Sequence, residues 1–580
     1  MSFPDTIQRG DVVFTNKAPA NRSGIDVRFG NGGDIGVTGR NISLFSGSQL
    51  RAGIASGLGT SASRGGDVVV NATGEIRMTG EDTRMANDLR ENAIGKAGDI
   101  AVTANSLVLT DGAQLSSSTF GTGDGGNVVI AADRVSFDGV RADEQGVSGA
   151  FSRVESRARG NGGTVQIFTQ VLEVTNGAGL FSATLGFGDG GNIIIKASDR
   201  VSFNGVSPVR KIPSRAVSDV PLRRAQGKGG NLEIFTKTLE VTNDAQLSAS
   251  TFGIGNAGNI LIDATSNVKI AGDFRFAGVF VASFTSGNAG DITINTPKIS
   301  LDQGVVSAES ASVNGGNVTL NIRDILELKN TSSISATAGD SQFGGNGGNI
   351  VIHAPDAFIA AFPNENSDIT ANAFSGSGGK ITINTKGIFG IAPLTRDELV
   401  NLLGTSNSEE LDPAKLRTND IVAFSQQKPD LSGEVIINTN DADPSRGLIQ
   451  LPSNLVDSSQ QIAPGCTPRP GSASRFISTG RGGLPLSPEQ PLRGRAVITN
   501  WVALPEEKLT NREINQPLAT STTKSTEQII EAQGWIVDAK GNVIFVAQSP
   551  LGISSKTNYN LLDCAHLLLS NNKTVMVPIA

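Results

Sequence analysis

The residues with the strongest claim to chemistry in this chain are its glycines and the acids beside them. Gly121/Gly123/Gly126, Gly186/Gly188/Gly191 and Gly253/Gly255/Gly258 each satisfy G-x-G-x-x-G. That spacing lets a strand–turn–helix unit cradle a pyrophosphate at a helix amino terminus. Each triplet here runs into an aliphatic alternation (VVI, III or ILI), which predicts a strand where a dinucleotide site needs a helix. The triplets therefore read as turns, and no Walker sequence is present. Asp124 and Asp189 lie in GDGGN turns, which suggest calcium. The ion wants about six to eight oxygens, one carboxylate per turn supplies few, and the tandem calcium-binding nonapeptide is missing. Arg9-Gly10-Asp11 spells an adhesion tripeptide, with its Gly-Asp reading as an ordinary turn of the repeat described below. Glu81, Asp82, Asp143 and Glu144 are the carboxylates from which a polysaccharide-cleaving site would be built, if two converged or one met a Lys or Arg. They do not recur in register and read as solvated loop charge. His353 and His566 are the only imidazoles, which nearly excludes His-based catalysis or a multi-His metal site. His353 directly follows a GGNIVI segment, a sheet-face position. Cys466 and Cys564, the only two cysteines, would close a disulfide in an oxidising compartment, with free thiols as the alternative. The sequence thus predicts no catalytic, cofactor-binding or metal-binding residue.

Composition narrows the field. Of 580 residues 70 are Gly, while 38% are hydrophobic, 5% aromatic and 18% charged. Large side chains are too few for several ordinary globular cores, yet the ordered recurrence of Ile, Val and Leu argues against disorder. A net charge of -7 offers no basic surface to neutralise phosphates, so nucleic acid is not an expected partner. No stretch approaches the ~18 consecutive apolar residues of a spanning helix. The opening MSFPDTIQRG lacks the basic-then-apolar pattern of a signal peptide. With the repeat already running near residue 10, the chain reads as the carboxyl-terminal part of something longer.

One signature recurs thirteen times: a small residue, Gly, usually Asn or Asp, then aliphatic, any, aliphatic. It runs from GGDIGV at Gly32 through GGNVVI at Gly125 and GGNIII at Gly190 to SGEVII at Ser432, with a degenerate fourteenth, RGDVVF, at Arg9. The invariant second Gly falls at 33, 66, 98, 126, 163, 191, 230, 258, 290, 316, 348, 379 and 433. Of the 26 aliphatics flanking the variable position, only Leu232 and Leu320 are not Ile or Val. Period two with β-branched residues on the constant side predicts a strand with one face buried. Further strands are expected in LVLTDGAQL at Leu107 and LEVTNGAGL at Leu172, then in SSSTF at Ser116 and FSATL at Phe181. The unit is then three short strands, about 28 residues where uninterrupted, with loop insertions such as 80–96 and 204–228. A meander has no need of one Gly-Asn turn at every repeat, whereas a parallel β-helix stacks such units at ~4.8 Å. The expected fold is all-β, a parallel β-helix solenoid of about twelve to fourteen three-strand coils. Asn or Asp at ten of thirteen turn positions predicts a side-chain ladder, with the preceding Gly expected to supply positive φ.

The solenoid is expected over residues 1–440, with an insertion around 386–420. There Thr395 to Gly404 (TRDELVNLLG) reads as a short capped helix. Ten of the 23 prolines fall between 441 and 520, marking a Pro-rich linker. Residues 521–580 form a small β-type segment with a hairpin expected around Ala539-Lys540-Gly541.

The repeats GNAGNILIDA at Gly255 and GNAGDITINT at Gly287 resemble those of filamentous haemagglutinin-like proteins of two-partner secretion, especially the cyanobacterial type. So do the segments Asp420 to Pro452, QIAPGC at Gln461, Thr479 to Gly494 and Ile529 to Gln548, which look like the family's closing region. The likeness covers most of the chain, without a counterpart of the family's amino-terminal secretion domain. It implies an adhesin-type protein at the cell surface, on the outer membrane or secreted, exported through an outer-membrane pore partner and serving attachment or aggregation; surface glycans or proteins are the candidate partners. The alternatives left open are a polysaccharide-acting β-helix enzyme and a truncated, non-exported remnant.

Overall fold

The computed structural model describes residues 9–16, 23–273, 277–311, 313–339, 344–439, 534–537 and 543–546. The Ile and Val of successive units lie over one another on parallel strands. Ile35 stacks on Val68, Val68 on Ile100, Ile100 on Val128, and the column continues through Val165, Ile193, Leu232, Ile260, Ile292, Val318, Ile350 and Ile381 to Val435. Every side chain of the paired columns is buried except Val435 and Ile437, which are half-buried on the last rung. The fold is a parallel β-solenoid of about thirteen coils, roughly 60 Å long at the usual strand spacing.

One coil shows how the sequence winds. Ile100–Thr110 presents Ile100 and Val102 inward on a first face, turns a corner near Asn105, and presents Leu107 and Leu109 inward on a second. Asp111 and Gly112, at φ 57° and 86°, make the next corner. Gln114–Ser116 forms the third face with Leu115 inward. The first two faces belong to one 16-stranded sheet and the third to a 14-stranded sheet. From Ile100 onward the first two faces run on as a single bent strand, where separate short strands were expected. The third strand begins before SSSTF, at Gln114, because Leu115 is the side chain that completes the core. Likewise the stretches 80–96 and 204–228 are only partly insertions, since Arg84–Leu89 and Arg215–Val217 are third-face strands within them.

Two expectations fail at the turns. The recurring Gly does not adopt positive φ. It is required because the coils approach so closely there that a Cβ on Gly316, for example, would lie 2.7 Å from the carbonyl carbon of Gly290 and nearer still to its oxygen. RGDVVF is also not a first-face unit: Val12–Thr15 pairs with Ile42–Phe45 on the second face, placing Asp11 beside Asn41.

The expected ladder is present, with each side-chain oxygen accepting the backbone N–H of the same position one coil on. Asp34 accepts from Asp67 at 2.8 Å, Asp67 from Asp99 at 2.9 Å, Asp99 from Asn127 at 2.8 Å and Asn127 from Thr164 at 2.9 Å. It resumes at Asn192 and runs through Asn231, Asn259, Asp291, Asn317 and Asn349 to Lys380. A net hydrogen bond contributes about 1 kcal/mol. Thr164→Asn should therefore bridge the gap and stabilise the rod by about 0.5–1 kcal/mol, while Asn259→Ala costs about 1 kcal/mol, both read from urea-unfolding midpoints.

The solenoid makes one excursion. After Lys380–Phe389 and the short strand Ala392–Pro393, residues 394–419 leave the rod and return as Asp420–Val422, which lies between Asp368–Thr370 and Ala392–Pro393. The excursion carries the expected helix, Arg396–Leu403, with a Thr395/Glu398 capping box and Gly404 left-handed at φ 67°. Leu399 and Leu411 pack on Val422 and Phe424 of the third face. Among the described residues no helix is long and apolar enough to cross a membrane. The chain divides into two compact units, Met1–Asp457 and Ser458–Ala580. In the second, Gly534–Val537 pairs antiparallel with Val543–Val546, as the expected hairpin requires. Its turn, the boundary near 440, the linker 441–520, His566, Cys466 and Cys564 lie outside the described residues.

Candidate functional site

The acids of the glycine-rich turns hydrogen-bond neighbouring coils to one another. Each G-x-G-x-x-G triplet leads into a strand, Val128–Asp138, Ile193–Asn204 or Ile260–Ala271. Asp124 and Asp189 form a second ladder three residues before the first, accepting the N–H groups of Asn161 and Lys228 at 2.8 Å. Asp11 of the RGD sequence is engaged by Arg40 through two 2.8 Å bonds, and that guanidinium holds its carboxyl well below the usual carboxylate range. Among the described residues no three His, Cys, Asp or Glu side chains gather as metal ligands would.

The loop acids behave differently from expectation. The loop 139–148, between the second and third faces, reaches across tight neighbouring turns in both directions. On one side Arg141 lies over Gly112, where a Cβ would collide with its side chain. Its guanidinium comes within 3.7 Å of Glu81, 3.7 Å of Asp82 and 3.1 Å of Asp143. On the other side Val140 lies against Gly177, and Glu144 reaches the loop beyond it. Its carboxylate accepts the Val209 N–H at 2.9 Å, the Arg210 N–H at 2.6 Å and the Ser207 hydroxyl at 3.0 Å. Three of the four candidate acids thus converge on one Arg, and the fourth is a loop-to-loop clasp. Burial would raise the Glu144 carboxyl, but its donors outweigh that and hold it below the ordinary range. Asp143 is lowered chiefly by the Gln145 N–H, with Arg141 adding to it. A glycosidase general acid needs the opposite shift.

The outer surface carries a feature missed in the sequence. The residue after the second motif aliphatic points outward on every first-face strand, and these residues stack in register as Phe168, Lys196, Phe235, Asp263, Asn295, Asn321, His353, Asn384 and Asn438. Lys196 Nζ lies 6.0 Å from the Phe168 ring centre and 5.7 Å from that of Phe235. Asn321 donates to Asn295 at 2.7 Å, and Asn438 to Asn384 at 2.8 Å. Beside Asp263, Asn295, Asn321 and His353 runs a groove of about 460 Å³ walled by Pro297 and Pro355. Extending the repeat alignment by one position would have exposed this column. His353 takes the sheet-face place expected of it, between Asn321 and Asn384. No family model, no characterised protein and no solved structure matches this chain.

Proposed function

We propose that the chain is the non-catalytic rod of an exported adhesin, displayed at the cell surface or secreted. Its uniform core supplies length and its outward columns supply contacts. The observation that carries this reading is a division of labour. The ladder acids of the GDGGN turns and Glu144 are spent holding coils or loops together, while the outward columns continue from rung to rung with side chains suited to binding. The resemblance to filamentous haemagglutinin-like proteins supports export through a dedicated outer-membrane pore. Membrane-impermeant labelling of intact cells carrying the locus should tag the protein, and deleting it should reduce surface attachment. A protein found only inside the cell contradicts the reading.

The Arg141 cluster with Glu81, Asp82 and Asp143 favours a second reading, a polysaccharide-acting enzyme. The pairing with Arg and the lowered Asp143 carboxyl suit a structural tie better than proton transfer. Incubating the protein with alginate, pectin and cellulose should release no new reducing ends. Release that disappears in Glu81→Gln or Asp143→Asn would establish the enzyme instead.

A further inference from the structure

We infer that the outer surface of the first face is the binding track for one linear, uncharged polysaccharide lying along the rod axis. This rests on the binding-rod reading and names its ligand class and site. A sugar in an extended polymer presents apolar C–H faces above and below its ring and hydroxyls around the edge. Its receptor must therefore pair apolar platforms with groups that both donate and accept hydrogen bonds.

The first face provides both, at a constant interval. Phe168 and Phe235 are separated by the Lys196 rung, about 10 Å apart at the strand spacing, and Phe168 is 41% exposed. Further along the same column the platforms give way to amides, Asn295, Asn321 and Asn384, joined by His353. An amide has two donors and two acceptors, so the bond from Asn321 to Asn295 leaves capacity for a hydroxyl. Beside this column runs a strip made by the middle residue of each motif, with Ile194, Leu261 and Val351 among Thr293, Thr319 and Thr382. These side chains offer methyl groups and hydroxyls to a sugar lying over the strip, with Val351 exposed among them.

The surface also argues against a charged polymer. From Gln166 to Asn384 the two columns hold Lys196, Glu233 and Asp263 as their only fully charged residues. A polyanion finds no row of cations there, in contrast to the third face near Arg28, Arg51, Arg84 and Arg90. A uniform rung spacing suits a polymer whose units also repeat uniformly, because each further sugar meets its rung at the same interval.

The full chain should co-sediment with microcrystalline cellulose or chitin and leave soluble alginate unbound. Phe168→Ala/Phe235→Ala should weaken that binding by roughly tenfold or more, as loss of anchoring aromatics does, and Asn295→Ala/Asn321→Ala by several-fold. Both pairs face outward, and an unchanged circular-dichroism melt shows that the rod is intact. Equal binding by wild type and the Phe pair, binding of neither glycan, or preference for alginate overturns the track. If any of these occurs while deletion of the locus still reduces cell attachment, the track falls and the adhesin reading stands.

Discussion

Gly290→Ala should destabilise the middle of the rod by about 3 kcal/mol or more, while Gly36→Ala should change stability by less than about 1 kcal/mol. Both glycines belong to first-face units and neither has positive φ, so conformational freedom cannot separate them. What separates them is space. A Cβ on Gly290 would lie 2.7 Å from the carbonyl carbon of Gly258 and nearer its oxygen, whereas a Cβ on Gly36 meets nothing within 4 Å. The obstructing atoms are backbone, which moves only if two coils part, and parting them opens the Ile262–Ile294 contact in the core. A solenoid is stabilised by nearest-neighbour interfaces, so hydrogen exchange should quicken first on Ile260–Ala271 and Ile292–Asp302. Equal urea midpoints for the two variants would show that close stacking is not why glycine recurs.

The second large effect is on pH dependence where the excursion rejoins the rod. Asp368 is 5% exposed, and its Oδ1 accepts the Asp420 N–H at 2.9 Å. Burial, aided by the Asp420 and Asp412 carboxylates, pushes the Asp368 carboxyl from 3.8 up to about 7. Burial also raises Asp420, against the bond from Thr418. A raised acid binds more protons folded than unfolded between these values, so stability falls as pH rises. The stabilisation is complete below about pH 4 and is lost by about pH 7. The shift of roughly three units corresponds to about 4 kcal/mol at most. Asp368→Asn keeps an oxygen for the Asp420 N–H and removes the charge. It should make the fall in stability between pH 4 and 7 shallower and be more stable than wild type at pH 8. Asp219, raised to about 6 by burial despite bonds from Ser248 and Ser250, adds a slope of the same sign that survives in Asp368→Asn. Parallel pH profiles for variant and wild type would refute the assignment.

The core was legible in the sequence because a buried strand face allows few substitutes. Ile or Val at positions such as 100 and 102 repeats with period two, and the Asn beside the turn repeats with it. The reason for the Gly was not legible, since close backbone approach and positive φ select the same residue. Arg9-Gly10-Asp11 was misplaced for a related reason. Gly-Asp before VVF mimics a first-face unit, and only pairing with Ile42–Phe45 reveals the second face. The Arg141 cluster was hidden because its members sit at corners two coils apart, 60 residues from Glu81 to Arg141, brought together across Gly112. The ladder through Asp124, Asn161 and Asp189 was readable in principle, but its positions invited a calcium reading first. The outward column from Phe168 to Asn438 lies one residue beyond the recurring motif, where residue type varies too much to show a period.

The stacking itself is best tested by spin-label distances between outward positions of the first face. Gln166, Glu233, Thr293 and Thr382 lie on strands whose pairings place two rungs between the first two, two more to Thr293 and three more to Thr382. Pairs of labels should give narrow distributions that grow by about 4.8 Å per rung, so that Gln166 to Glu233 spans about 10 Å and Gln166 to Thr382 about 34 Å. The increase should follow the number of rungs whatever the length of chain between them. Distances that track sequence separation instead, or broad distributions without a rung-dependent centre, would contradict a single wound rod.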